Sequence, residues 1–357
     1  MIKLLIVDDS ALMRRQLMNL FQAEGDFDVR PARNGDEAVR ENRDFQPDVV
    51  TLDINMPEMD GLTALSLIMA ERPVAVVMVS SLTNEGALAT FEALNLGAVD
   101  YVAKPGGTIS LSIDRITEEL VAKVRAAARC RPRGKPSSTG TVARRMQEER
   151  KKIAAASSAL AAPRSAGDGL LVVGASTGGP RALEIVLSGL PATFPWPVLV
   201  AQHMPAAFTR AFAERLNQCC ALQVVEAGSA LPVEAGKIYI ARGGADMVLA
   251  NRAGRLTVLP MPENSQFLWH PSVELLGRSV LEHYDAKRVT AVLLTGMGYD
   301  GSDAFAEIKK RGGRTIAESE ETAVVYGMPA ELVAKGGASL VLAVERVASQ
   351  LSIWAGR

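Results

Sequence analysis

Two blocks of alternating strand and helix signals, separated by a basic stretch that cannot build a core, constrain this chain more than any other feature. In residues 1–127, short β-branched runs fall at Lys3–Val7, Asp28–Ala32, Asp48–Leu52, Ala75–Val79 and Asp100–Ala103. Amphipathic stretches at Ala11–Ala23, Gly35–Asn42, Leu62–Ala70 and Glu85–Leu96 separate them. That alternation predicts a five-stranded parallel sheet covered on both faces.

The alternation resumes over residues 168–357 and predicts a second, doubly wound α/β domain. Its strands are expected at Leu170–Gly174, Pro197–Gln202, Leu222–Glu226, Lys237–Ala241, Asp246–Ala250, Arg255–Leu259, Val289–Thr295 and Arg314–Glu318, with one more near Ser339–Leu342. Helices are expected at Pro180–Leu187, Ala206–Leu216, Ser272–Glu282, Asp303–Arg311 and Ala330–Lys335. The Lys237–Leu259 region reads as a local meander of short strands. Residues 128–167 read as a flexible basic linker: from Arg129 to Gly167 there are ten Lys/Arg against two Glu, with no apolar periodicity. Glu148 and Lys152, at i,i+4, favour a transient helix within it. No aromatic residues interleave with these charges, which favours a solvated tether over a nucleic-acid arm.

A length of 357 residues suits two domains. A formal net charge of -1 supplies no global field toward nucleic acid or a membrane surface. The opening MIKLLIVDDSALM lacks the form of a secretory signal. No apolar stretch approaches the roughly 18 to 20 residues a membrane span needs. Cys130, Cys219 and Cys220 show neither disulfide nor metal spacing. A cytoplasmic protein with reduced thiols is expected, by default a monomer.

Carboxylates gather where strands of the first block end. Asp8 and Asp9 follow LLIV, and Asp53 follows VVTL, so all three belong at the carboxyl edge of the sheet, where open α/β folds build sites. Their mutual repulsion calls for a hard cation. VDDSALMR, LDINMPEMDG, SSLT and DYVAKP, in that order and spacing, resemble the receiver domain of two-component response regulators, which implies a flavodoxin-like fold. The resemblance implies that Asp53 accepts a phosphoryl group and that Mg²⁺ is held by Asp8, Asp9 and Asp53, with the carbonyl of Asn55. It further implies that Ser80 and Lys104 meet the phosphoryl oxygens, that Tyr101 is the aromatic switch, and that the bond to Pro105 is often cis.

Three motifs of the second block also fall at strand ends. VVGASTGGPRAL is a strand, a Gly-rich turn holding Ser176, and a helix; PVLVAQHMP ends a strand at His203; LLTGMGYDG leads through a turn to Asp300. A serine, an imidazole and a carboxylate at three edges of one sheet can form a nucleophile, base and orienter. Taken singly, Ser176 and Asp300 read equally as helix caps and His203 as a core histidine.

GASTGGP, AQHMPAAFTRAFAERLN, IYIARGG, HPSVELL, LTGMGYDG and VYGMP together resemble the catalytic domain of the chemotaxis receptor methylesterase (CheB) family, over residues 169–350. The resemblance implies Ser176 as nucleophile, His203 as general base and acid, Asp300 as its orienter, the Met297 N–H as oxyanion donor, and Thr177 beside the nucleophile. It implies phosphorylation-activated hydrolysis of glutamate γ-methyl esters, with glutamine deamidation, on methyl-accepting chemotaxis receptors. A chemotaxis histidine kinase would be the phosphodonor, and the ester reaction itself would need no cofactor. The family pattern is departed from at His270, where arginine is usual, at Arg242, at Asp246, where histidine is usual, and at Ser302. These departures bear on substrate preference. A scaffold that has lost its chemistry is the main alternative. A dinucleotide site lacks the G-x-G-x-x-G spacing, and no basic recognition helix follows residue 168.

Overall fold

The structure is a computed structural model that describes residues 1–80, 83–104, 113–130 and 169–356. The chain divides into two compact units, taken here separately. Most of the stretch read as a linker, including Glu148 and Lys152, lies outside the described residues, as does Pro105.

In the first unit β1 (Ile2–Val7), β2 (Phe27–Ala32), β3 (Val49–Asp53), β4 (Ala75–Ser80) and β5 (Asp100–Ala103) form one parallel sheet in the order β2-β1-β3-β4-β5. Central β3 and β4 are buried at every position, which is why they read as continuous apolar runs instead of alternating ones. Polar side chains start the helices: Ser10, Asn34 and Asp60 accept from the amides of Met13, Glu37 and Thr63. Gly25, at φ 77°, ends the first helix.

A fifth helix, Ile113–Arg129, is absent from the sequence reading. Its Leu120, Val121, Val124 and Ala127 are buried and join Leu4, Ile6, Phe21 and Val49 in the core. Their i, i+1, i+4, i+7 spacing is the helical signature, and they share one core with Leu17 and Phe21 of the first helix.

The second unit is built on a seven-stranded sheet: β6 (Leu170–Ala175), β7 (Val198–Gln202), β8 (Gln223–Ala227), β10 (Lys237–Ala241), β13 (Val289–Leu293), β14 (Arg314–Glu318) and β15 (Leu340–Leu342). Every pairing is parallel, in the order β15-β14-β13-β6-β7-β10-β8. A separate antiparallel sheet holds β9 (Leu231–Pro232), β11 (Asp246–Arg252) and β12 (Arg255–Met261). This corrects the expected Lys237–Leu259 meander. β10 is an inner strand between β7 and β8, because its run IYIA is buried throughout, whereas β11 and β12 keep one face partly open. The terminal helix Val344–Ala355 was likewise not foreseen; it buries Val344, Val347, Ala348 and Leu351.

Register fixes the site. β6 pairs Gly174 with Leu293 of β13 and Ala175 with Gln202 of β7, so the carboxyl ends of β13, β6 and β7 lie in one row. The chain leaves β6 toward β7 on one side and returns as β13 on the other. That reversal is the topological switch point at which open α/β sheets place their crevices.

Candidate functional site

Ser176 leaves β6 in a tight turn whose Gly178, at φ 76°, opens the helix Gly179–Ser188 with Pro180 in its first turn. Its amide donates to the Thr295 carbonyl at 3.0 Å, while its own carbonyl accepts from Gly179 N at 2.7 Å and Gln202 Nε2 at 2.9 Å. The turn is thus tied to both neighbouring strand ends. His203 follows β7 directly, with its amide bonded to the Ala175 carbonyl at 3.1 Å. Its Nδ1 lies 3.0 Å from Ser176 Oγ and its Nε2 lies 2.8 Å from Asp300 Oδ2.

Asp300 is almost wholly buried and fully bonded. Its Oδ1 accepts from Ser272 Oγ and Glu274 N, both at 3.0 Å, and its Oδ2 accepts from Val273 N at 2.6 Å as well as facing His203. These donors open the helix Val273–His283, whose first amides and positive dipole end face the carboxylate. Burial alone would raise the Asp300 pKa. The hydrogen bond and charge of His203, with the Glu274 and Val273 amides, outweigh burial and hold it below the ordinary carboxylate value. A carboxylate that stays ionised can keep Nε2–H of the imidazole as donor, which leaves Nδ1 free to take a proton from Ser176.

Sequence reading therefore named three residues that the fold brings into one hydrogen-bonded series. Met297 sits in the same turn, between Gly296 and Gly298, and its N–H forms no hydrogen bond among the described residues. A Cβ on Gly296 would stand 2.8 Å from Ser176 Cβ, so only glycine lets this turn come so near the serine. Thr177 is buried; its carbonyl accepts from Thr295 Oγ1 at 2.9 Å, and its own Oγ1 has no partner among the described residues.

Two neighbours were not singled out from sequence. Trp269 lies parallel to the His203 ring at 5.9 Å between centroids. Ser272 both caps its helix and bonds Asp300. A serine directly before the helical run VELL signals the cap; nothing local signals the stacking. Of the four departures, Asp246 and His270 pair with one another, His270 Nδ1 lying 2.9 Å from Asp246 Oδ1. Ser302 is buried and accepts from Lys335 Nζ at 2.8 Å, while Arg242 is exposed.

In the first unit Asp8, Asp9 and Asp53 each offer a carboxylate oxygen, all within 4.8 Å of one another. Asp8 and Asp53 are buried and share Lys104, whose Nζ stands 2.9 Å from Asp8 Oδ2 and 2.7 Å from Asp53 Oδ2. One ammonium cannot neutralise three carboxylates, and an all-oxygen cluster fits a hard divalent cation such as Mg²⁺. Burial raises the Asp53 pKa; Lys104 opposes that shift, and the charge of Asp8 adds to it. Asn55 is exposed, with its amide 3.3 Å from Asp53 Oδ1. Ser80, at the end of β4, is buried and donates from Oγ to the Gly86 carbonyl at 3.2 Å. Tyr101 is buried beneath Lys123, whose Nζ is 5.2 Å from the ring centroid and 2.8 Å from the Tyr101 carbonyl.

Known proteins match both units. Residues 171–351 fit the family described as CheB methylesterase, and residues 4–113 fit the response regulator receiver domain. A relative from Rhodospirillum rubrum, named protein-glutamate methylesterase/protein-glutamine glutaminase 3, is 54% identical over 100% of this chain and 97% of its own length. A relative from Rhodopseudomonas palustris, with the same name numbered 2, is 52% identical over 99% of this chain and 98% of its own. The crystal structure of the Thermotoga maritima CheB methylesterase catalytic domain matches with a TM-score of 0.50 and 36% identity, covering 52% of this chain and 98% of that one. No helix among the described residues is long and apolar enough to cross a membrane.

Proposed function

Since the chain belongs to the CheB methylesterase family and carries a response regulator receiver domain, we propose that it hydrolyses glutamate γ-methyl esters on chemoreceptor cytoplasmic segments under control of phosphorylation. The observation that carries this reading is the series Ser176 Oγ, His203 and Asp300 at 3.0 and 2.8 Å.

In this mechanism His203 Nδ1 takes the Ser176 proton as Oγ attacks the ester carbonyl carbon. The Met297 N–H faces the oxyanion that develops, and a donor fixed before reaction costs no reorganisation at that moment. The C–O bond to the methoxy group breaks, His203 returns the proton to it, and methanol leaves. Water, deprotonated by the same imidazole, then attacks the acyl-serine; the acyl carbon–Oγ bond breaks, His203 returns the proton to Ser176 Oγ, and glutamate leaves. A glutamine side chain follows the same path with ammonia as leaving group, giving the deamidase activity.

Imidazole geometry here uses Nδ1 toward serine and Nε2 toward aspartate, the reverse of the chymotrypsin arrangement. The chemistry needs one nitrogen bare and the other held by a carboxylate, and either assignment meets that need.

Asp53 is the proposed phosphoryl acceptor, with a chemotaxis histidine kinase as donor. Lys104 pairs with the added charge, and Ser80 and Tyr101 respond to it. When bound, Mg²⁺ supplies positive charge for the phosphoryl oxygens, and Asp8, Asp9, Asp53 and the Asn55 carbonyl would hold it. The receptors and the kinase set its place of work at the cytoplasmic side of the membrane. Methanol release from a methylated receptor cytoplasmic fragment tests the chemistry: the reading expects release by the wild type and none by Ser176→Ala. Equal release by both would end it.

A further inference from the structure

Resting on this reading of Ser176 and His203, we propose that Asp246 and His270 form a clamp that positions the catalytic imidazole through the segment 264–272. Asp246 opens β11 and is 1% exposed. Its Oδ2 accepts from Asn264 N at 3.0 Å, and its Oδ1 accepts from Ser272 N at 2.7 Å. One buried carboxylate thus ties both ends of a nine-residue segment. His270 Nδ1, 2.9 and 3.1 Å from the two oxygens, completes its shell. The departures at 246 and 270 are therefore one feature, in which each residue supplies the partner of the other.

What the clamp holds is the triad's surroundings. Between the two ties, Trp269 lies 6° from parallel with the His203 ring, at 5.9 Å. It meets Tyr299 edge-on at 5.1 Å and 84°. It also packs so closely on Gly298 that a Cβ there would stand 2.7 Å from the indole. Past the second tie, Ser272 Oγ and the Val273 and Glu274 amides grip Asp300. Among the described residues neither Asp246 nor His270 hydrogen-bonds the Ser176 hydroxyl or the His203 ring, so they are positioning residues. Releasing them loosens the ring stacked on His203 and the helix start that fixes Asp300 together.

Misplacement by about 1 Å far from the chemistry can cost on the order of a hundredfold in rate. Asp246→Ala and His270→Ala should therefore lower kcat for methanol release by about ten- to a hundredfold with KM unchanged. His270→Asn, whose amide nitrogen reaches the place of Nδ1, should keep most of the rate, whereas His270→Gln should not. Labelling of Ser176 by a fluorophosphonate in the full chain should slow in the same proportion, with unfolding temperature recorded for each variant. Wild-type turnover and labelling in Asp246→Ala and His270→Ala would overturn the clamp, as would a rise in KM alone. Equal losses in His270→Asn and His270→Gln would also overturn it, and this comparison decides the matter where an alanine variant does not fold. A wild type that fails to label would instead overturn the reading of Ser176 on which the clamp rests.

Discussion

Asp300 shows how far a single side chain can set chemistry. Both its oxygens accept two hydrogen bonds, three of the four from the start of one helix and the fourth from His203. An amide cannot do this, because its NH₂ group must face either the helix donors or the imidazole donor. Asp300→Asn should thus misorder the His203 tautomer and lower kcat by about 10⁴-fold, with little change in KM; steady-state methanol release measures both. A fall under tenfold would mean that Asp300 does not orient the base. At this scale the sequence was informative. Only three histidines exist, and only His203 follows a buried strand run, so its place beside Ser176 and Asp300 was legible. Trp269 was not legible, because stacking between residues 66 apart leaves no local periodicity.

Elements position those residues through close packing at the row where β13, β6 and β7 end. The helix Val273–His283 lies so near β6 that a Cβ on Gly174 would stand 2.3 Å from Val273 Cγ1 and 3.0 Å from Leu293 Cδ1. Gly174→Ala should therefore destabilise the catalytic unit by about 1–3 kcal/mol and reduce turnover, since the displaced helix is the one that grips Asp300. Denaturant unfolding and kcat on the same samples check this; a variant with wild-type values in both would contradict the packing argument. Strand positions were read well from β-branched runs because parallel strands buried on both faces need them. Membership of sheets was not, because β10 and its neighbours β11 and β12 have similar local patterns and only long-range pairing separates them. The helices Ile113–Arg129 and Val344–Ala355 each bury an apolar stripe, Leu120, Val121, Val124 and Ala127 in the first and Val344, Val347, Ala348 and Leu351 in the second.

At the level of the whole molecule, a receiver unit is joined to a catalytic one. The acidic pocket is costly by itself. Asp53 has its pKa raised from the ordinary 3.8, chiefly by burial, so the folded unit holds that proton more tightly than the unfolded chain does. Stability should consequently fall as pH rises from about 3.8 through the raised value. Mg²⁺ at about a hundred times its dissociation constant should add about 2.7 kcal/mol to unfolding, and a chelator should remove it. Asp8→Asn should blunt the metal's effect. Calorimetry of the full chain across pH, with and without Mg²⁺, measures all three. No dependence on Mg²⁺ would count against the pocket as a cation site.

Phosphorylation controls hydrolysis only if a phosphodonor changes the rate through Asp53. The direct measurement is the rate of methanol release from methylated receptor fragment by the full chain, with and without acetyl phosphate and Mg²⁺, for the wild type and Asp53→Asn. The rate should rise with the phosphodonor in the wild type and should not respond in the variant. Stimulation that persists in Asp53→Asn, or a wild-type rate indifferent to the phosphodonor, would contradict it.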